Sequence, residues 1–282
     1  MRPRMLIGAA AGAAAADAAA ADAVAARSDL GSMLPGNTLR LDARQSHHLV
    51  RVLRLGAGAP VECFDGHGTR IHAHIETADA KACVLRIDEH VASDTESPLQ
   101  ITLAQCVSGA DRMDWTIEKA VELGVHAIQP LSSQRSQVRL DAERAARRAE
   151  HWSRIIEAAC MQCGRDRLPR LWPLMTLPRW LEGSAADSRI ANRAASDKDT
   201  FTPSPLDLVL DPTATQPLSA LAVDRQRPLR LLVGPESGLT DEELAAARAA
   251  GFTPVRLGPR VLRTETAGLA ALAALQMRVG DF

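Results

Sequence analysis

Tyrosine is absent from this sequence and phenylalanine occurs four times, so aromatic residues make up only 3% of the 282 positions. A recognition surface built by stacking bases on aromatic rings is therefore not expected. Excess charge is also missing. The net value is −1, so any nucleic-acid surface has to come from local clusters of Arg, Lys and His. The cysteines (Cys63, Cys83, Cys106, Cys160, Cys163) are odd in number and scattered. They do not match a secreted disulfide framework, and reduced thiols in a cytoplasmic protein are the simpler expectation. No run is long and apolar enough to span a membrane. No G-x-G-x-x-G follows a strand-like run, which argues against a Rossmann-type nucleotide enzyme.

What is present suffices for a core: 46% apolar and 24% charged residues, in one large or two modest domains. Arg2 and Arg4 precede Met5-Leu6-Ile7 and an alanine-rich run, superficially like a secretory signal. Alanine is weakly apolar and Asp17 and Asp22 interrupt the run, so a low-complexity insertion over about residues 9–27 is the preferred reading. Residues 37–41, 60–64, 69–75 and 82–87 read as short strands of a small β-barrel, with 47–55 as a helix packed on it. Asp65-Gly66-His67-Gly68 is a turn with glycine available for positive φ. Residues 92–98 read as a linker.

Beyond it the pattern changes. Strands at 99–106, 127–131, 206–210, 229–233 and 255–257 alternate with helices at 114–123, 141–162, 240–250 and 264–277. The first helix is expected to bury Trp115 with Ala120 or Val121 and Leu123, and to stop at Gly124. The long helix carries Ala149, Trp152, Ile155, Ile156, Ala159, Cys160 and Cys163 on one face. Such alternation implies a mostly parallel, doubly wound sheet. Residues 183–205 read as a surface loop.

Two segments carry the chemistry. In LLVGPESGLT (231–240) a buried strand runs into Gly234-Pro235, and Glu236, Ser237 and Gly238 form a tight loop. Thr240 starts a helix, with Glu243 completing a capping box. A strand–loop–helix of this kind brings backbone N–H groups close to a ligand at the carboxyl end of a parallel sheet; an ordinary βα turn is the alternative. In LGPRVLRTETA (257–267) Gly258-Pro259 forces a turn and Thr264 is the expected N-cap. The following helix (Ala267, Leu269, Leu272, Leu275) is apolar nearly all round and should be buried, with Gly268 allowing close packing. Arg260 and Arg263 beside a buried helix require an anionic partner, unless the segment is simply a capped core helix.

The segments GPESGLTDEE and LGPRVLRTETAGLAALAALQ resemble the RsmE family of small-subunit rRNA uridine N3-methyltransferases, within the knotted SPOUT methyltransferases. HHLVRVLRLGAG from His47, DRMDWTIEKAVELGV from Asp111, RSQVRLD from Arg135 and CMQCGRDRLP from Cys160 extend the resemblance over nearly the whole chain. Met1-Arg-Pro-Arg-Met5 looks like the family's opening strand. The resemblance implies an α/β protein with a PUA-like RNA-binding barrel over residues 1–95. Residues 96–282 would form a SPOUT methyltransferase domain threaded into a trefoil knot, normally as a homodimer. It implies S-adenosylmethionine as cofactor, held by the loops 234–239 and 257–264 with help after Leu210. The cofactor-binding candidates are Leu210, Gly234, Pro235, Glu236, Gly238, Leu257, Gly258, Arg260, Leu262, Arg263 and Thr264. Three features depart from the family. Ser237 stands where Gly is usual, which predicts strain if that backbone takes positive φ. Met161 stands where Glu is usual and receives no polar role. The alanine-rich insertion has no family counterpart.

Methyl transfer from a sulfonium is an in-line displacement, so alignment supplies much of the acceleration. Uridine N3 must lose its proton, and a cation near O2 and O4 favours the ionised base. Arg263 or Arg260 is expected to supply that cation, and Glu236 or Glu265 to position cofactor or base. Arg263 and Glu265 are thus the catalytic candidates, with no general base identified. Residues 40–74 hold five arginines against three acids. The RNA-binding candidates are Arg4, His48, Arg51 and Arg54, with His47, Arg40, Arg44 and Arg70 adding charge nearby, and Arg135, Arg165 and Arg167 in the second half. A solvated charged face is the alternative. The expected partner is 16S rRNA in the small ribosomal subunit. A lone C-x-x-C on an apolar helix face makes no metal site, and no metal is expected. Two rival functions are an RNA-binding module without catalysis and a transfer-RNA ribose 2′-O-methyltransferase; the barrel and LGPRVLRTETA favour base N3.

Overall fold

A computed structural model of the chain describes residues 2–8, 30–136, 141–194 and 204–282. The expected insertion at 9–27, the 137–140 part of RSQVRLD and the 195–203 part of the expected loop lie outside the described residues. The chain forms two compact units. One runs to Glu96 and includes Cys160–Leu168; the other takes Ser97–Ala159 and Pro169–Phe282.

The first unit holds β1 (Arg4–Leu6), β2 (Thr38–Arg40), α1 (Ala43–His47), β3 (Pro60–Phe64), β4 (Arg70–Thr77) and β5 (Val84–Val91). The strands form one sheet in the order β1-β3-β4-β5-β2. β1 and β3 are parallel and the other pairs antiparallel. The expected barrel is thus a half-barrel sheet with its two shortest strands at the edges. Alternation sets its inner face: Ile71, Ala73 and Ile75 of β4 and Leu85 and Ile87 of β5 are buried. On the other face His72 and His74 meet Glu89 and Asp88 at 2.9 and 2.6 Å. The turn after β3 has Gly66 and Gly68 at φ 76° and 110°, and Asp65 accepts the N–H groups of His67 and Thr69. The helix expected over 47–55 starts earlier. Asp42 and Gln45 form a capping box for α1, and His48–Val52 continues as a widened π turn.

Cys160–Leu168 brings Asp166, fully buried, into the first unit. Its carboxylate takes Arg4 Nη2 at 2.9 Å and Arg70 Nη2 at 2.8 Å, while Arg4 also pairs with Glu62. Arg165 meets Glu96 at 2.8 Å. A buried carboxylate is tolerated only when paired, and here two guanidiniums do it.

The second unit holds β6 (Ile101–Cys106), α2 (Ala110–Glu122), β7 (Ala127–Ser132), α3 (Ala142–Cys163, whose last turn belongs to the first unit), β8 (Arg170–Leu171), β9 (Met175–Thr176), α4 (Leu177–Ala194), β10 (Leu206–Leu210), β11 (Leu229–Val233), α5 (Asp241–Ala249), β12 (Thr253–Val255) and α6 (Thr264–Val279). Its sheet runs β12-β10-β11-β6-β7-β8, with β9 also on β7. Every pair is parallel. Strands buried on both faces explain the near-continuous apolar runs. On one face α2 packs on α6, and a Cβ at Gly268 of α6 would touch Leu103 and Val233 at 3.4 Å. On the other, α4 and α5 pack together, and Trp180 and Leu181 join Ala104, Val209, Leu232, Ala247 and Phe252.

Three expectations change. Residues 183–194 are helix rather than loop. Gly183 and Ser184 dilute the apolar signal, yet Leu177, Trp180, Leu181 and Ser184 fall at helical spacing and are buried. α2 starts at Ala110, so its buried stripe is Met113, Thr116, Ile117, Ala120 and Val121, and Trp115 is 45% exposed. β12 ends at Val255, because Arg256 bonds instead to Gln216 and Leu218; Pro254 is accommodated because β12 is an edge strand. Gly124 does stop α2, at φ 75°. Among the described residues no helix is long and apolar enough to cross a membrane.

Asp166→Ala leaves two guanidiniums without their buried counter-charge. The expected loss is about 3–5 kcal/mol of stability, read by urea denaturation of the full chain.

Candidate active site

Adjacent strands β6 and β11 send their chains to opposite faces: β6 leads into α2 beside α6, and β11 leads into α5 beside α4. Diverging connections open a crevice at the carboxyl ends of the strands, where open α/β sheets bind ligands. β10 and β12 lie next along the sheet, so the loops after them, 211–217 and 256–263, reach the same edge.

One hydroxyl ties this edge together. Thr264 Oγ1 donates to the Gly234 carbonyl at 2.5 Å and accepts from Gln105 Nε2 at 2.9 Å. Thr264 is therefore not the N-cap of α6; Arg263 holds that position with no side-chain cap. The hydroxyl is diverted to join β6, the end of β11 and the segment entering α6.

Glu236 makes a second tie. Its Oε1 accepts Gly109 N–H at 2.9 Å and Arg112 Nη1 at 2.8 Å. Burial pushes this carboxyl up, but the N–H groups of Gly109 and of its own backbone, together with the Arg112 guanidinium, outweigh it and hold it below its ordinary value of 4.5. Arg135 Nη1 donates to the carbonyls of Ser237 and Leu239 at 3.2 and 3.4 Å. The expected capping box of Thr240 and Glu243 is present, and Glu243 Oε1 also accepts Gln134 N–H at 2.7 Å. The positive φ of this loop falls on Gly238, at 70°, and Ser237 carries none, so the departure at Ser237 introduces no strain. At Gly234 a Cβ would lie 3.1 Å from Leu239 N, a tight approach that would require the loop to give by a few tenths of an ångström.

The remaining candidates are distributed as follows. Pro235 is buried, Leu210, Leu257 and Leu262 are half-buried, and Gly258, Arg260 and Arg263 are exposed. Neither arginine forms an ion pair with a described residue. Glu265 Oε1 lies 4.0 Å from Arg112 Nε. Glu265 Oε2, Glu236 Oε2, Ser108 Oγ and Gln105 Oε1 are buried without a hydrogen-bond partner. Gln105, Ser108, Gly109 and Arg112 were not candidates from the sequence. The available signal was their place at the end of an apolar strand (Gln105), in the short turn after it (Ser108, Gly109) and in the first turn of the helix that follows (Arg112).

The RNA candidates divide. His48, Arg51 and Arg54 are exposed on the π turn and just after it, and Arg54 is the one non-glycine described residue in the left-handed region, at φ 55°. Arg135 and Arg167 are also exposed. Arg4 and Arg165 are corrected: their side chains are 9% and 7% exposed and committed to Glu62, Asp166 and Glu96. Arg70 is likewise held by Asp166. Among the described residues no three His, Cys, Asp or Glu side chains gather as a metal site. Burial pushes the Cys160 thiol up to about 12, which keeps it protonated and a poor ligand.

Thr264→Val removes the hydroxyl shared by Gly234 and Gln105, and about 1–3 kcal/mol of stability should go with it, measured by chemical denaturation. The Glu236 tie is governed by a lowered carboxyl, so its contribution is complete above pH 4.5 and is lost only as pH falls through the lower folded value. Hydrogen exchange at the Gly109 amide should stay protected down to that acid range in the wild type and lose the acid transition in Glu236→Gln.

Residues 95–276 match the model of an RNA methyltransferase domain, and residues 41–88 that of an RNA methyltransferase PUA domain. The chain is 31% identical over 244 residues to the ribosomal RNA small subunit methyltransferase E of Buchnera aphidicola subsp. Schizaphis graminum, covering 86% of this chain and 92% of that protein. The crystal structure of a ribosomal RNA small subunit methyltransferase E from Neisseria gonorrhoeae bound to S-adenosyl methionine matches with a TM-score of 0.80 and 34% identity over 100% of both chains. A Legionella pneumophila structure solved with bound SAM matches with a TM-score of 0.77 and 35% identity, over 89% of this chain and 96% of that one. A tied pair of loops on a parallel sheet, in a chain matched almost end to end, leads to one assignment: this protein belongs to the ribosomal RNA small subunit methyltransferase E family.

Proposed function

We propose that this chain transfers a methyl group from S-adenosylmethionine to N3 of one uridine in 16S rRNA of the small ribosomal subunit. The observation that carries the reading is the Thr264 hydroxyl bridging Gly234 and Gln105. It joins the two loops expected to hold the cofactor, in a chain whose Neisseria relative was solved with that cofactor.

The residues fit such a ligand. Half-buried Leu210, Leu257 and Leu262 offer apolar walls to a purine. Gly238 and Gly258 face open space where a Cβ would stand, and Gln105 Oε1 is a buried acceptor that lacks a donor. Bound there, the cofactor supplies a methyl carbon on a positively charged sulfur. The tied loops fix its direction, which is what an in-line displacement needs. Arg263 and Arg260, exposed and without carboxylate partners among the described residues, favour negative charge on the incoming base or on its phosphates. In the first unit, His48, Arg51 and Arg54 offer RNA phosphates a basic edge, and a π turn is a common mark of a functional segment. Arg135 and Arg167 are further phosphate contacts. Trefoil threading of the second unit, a homodimer and a cytoplasmic location belong to the same proposal.

The decisive experiment methylates small ribosomal subunits from a strain lacking its own enzyme, followed by nucleoside analysis. N3-methyluridine is expected; a ribose 2′-O-methyl product, or no product together with no calorimetric binding of S-adenosylmethionine, overturns the reading. Arg263→Ala should lower kcat by roughly 10²–10³-fold if its charge acts in the transition state. Full activity with normal cofactor affinity removes Arg263 from the mechanism.

A further inference from the structure

Besides Gln105 Oε1 and Glu236 Oε2, three groups at the β6–β11 crevice are left over after the ties are counted. Ser108 is 1% exposed and its hydroxyl has no partner among the described residues. Glu265 keeps a buried Oε2 without a donor, and its other oxygen has only the long 4.0 Å approach to Arg112. Arg112 is 48% exposed and one of its N–H groups is taken by Glu236; among the described residues the rest have no acceptor within hydrogen-bond distance. A buried donor or acceptor without a partner is costly, and two carboxylates facing one guanidinium leave an acceptor in excess. The corner therefore suits a ligand that brings one N–H flanked by acceptors.

Uracil has that edge: N3–H between the carbonyl oxygens O2 and O4. We infer that Ser108, Arg112 and Glu265 read the Watson–Crick edge of the target uracil, and that Glu265 takes the N3 proton. The hydroxyl of Ser108 and the guanidinium of Arg112 donate to the two carbonyl oxygens, and Glu265 Oε2 accepts N3–H between them. This inference rests on the methyl-transfer reading above and deepens it. Glu265 is chosen over Glu236 because Glu236 Oε1 is already held by two donors, which quench its basicity. Cytosine presents an acceptor at N3 and a donor at C4, so it meets this set with an unpaired carboxylate and an opposed donor pair.

The step balances as follows. The N3–H bond breaks and its proton passes to the Glu265 carboxylate, leaving the electron pair on N3 and, by conjugation, on O2 and O4. Arg112 and Ser108 stabilise that charge. The N3 pair forms the new bond to the methyl carbon, the carbon–sulfur bond breaks, and its pair returns to sulfur, which leaves as a neutral thioether. Glu265 then releases its proton to water.

The test begins with the wild type and proceeds only when N3-methyluridine has been found and its position mapped, so a failed first stage is a failure of the general reading alone. Cofactor affinity of Ser108→Ala, Arg112→Lys, Arg112→Met and Glu265→Gln is then measured by calorimetry; wild-type affinity is expected in Ser108→Ala and Glu265→Gln, while the Arg112 variants also loosen the Glu236 tie and are compared at saturating cofactor. Cofactor-free enzyme should bind subunits with the native target uridine about tenfold more tightly than subunits with cytidine there, and Arg112→Met should lose that preference while Arg112→Lys keeps part of it. Glu265→Gln should lower kcat by roughly 10²–10⁴-fold. Its residual rate should climb about tenfold per pH unit, because only uracil already ionised by solvent reacts, whereas the wild type, which supplies its own proton acceptor, should lack that slope. A Glu265→Gln enzyme with a wild-type pH profile, or an Arg112→Met enzyme that still prefers uridine, overturns the inference while leaving methyl transfer intact.

Discussion

The Thr264 hydroxyl is the constraint on which the second unit's working edge depends. Hydroxyls at the start of a helix ordinarily satisfy that helix's own free N–H groups. Here the oxygen accepts from Gln105 and its proton goes to the Gly234 carbonyl, so α6 begins without a side-chain cap. What the helix gives up locally, the fold recovers as a link between three chain segments far apart in sequence. Gly268, one turn further on, faces Leu103 and Val233 across the same seam, where a Cβ would stand in contact at 3.4 Å.

A second link runs in parallel. Glu236 joins the loop after β11 to the start of α2, and Glu243 joins the start of α5 to Gln134 after β7. Each acidic side chain serves backbone N–H groups that a parallel sheet leaves unsatisfied where its strands end. The sheet's carboxyl edge is thereby stiffened by carboxylates already holding hydrogen bonds; Glu236 and Glu265 each keep a buried Oε2 without a partner among the described residues, but Glu265 lacks the two donors that hold the other oxygen of Glu236. That inequality among neighbouring acids separates scaffold from chemistry.

Local signals in the sequence were legible and long-range ones were not. The capping box of Thr240 and Glu243, the stop at Gly124 and the turn around Gly66 and Gly68 are each decided within a few residues, and each is found. β3, β10 and β11 coincide with the apolar runs that announced them. α4 went unread because Gly183 and Ser184 masked a stripe that begins at Leu177. Arg4 and Arg165 looked like RNA contacts because the acids that pair with them lie far off in sequence. Their partners, Asp166 at 162 positions from Arg4 and Glu96 at 69 from Arg165, are reached only by folding. Arg112 was passed over for the same reason: Glu236 lies 124 positions away.

The segment Cys160–Leu168 has a consequence for the protein's modularity. Although it begins as the last turn of α3, it belongs to the same compact unit as β1 and β3, and it delivers the counter-charge for Arg4 and Arg70. The N-terminal unit is therefore not a bead that can be cut free at Glu96. Severed there, it would keep its cations and lose the acid that neutralises them. Evolution cannot exchange it by recombination at that point without carrying the end of α3 along, so the two halves of this chain are bound to change together.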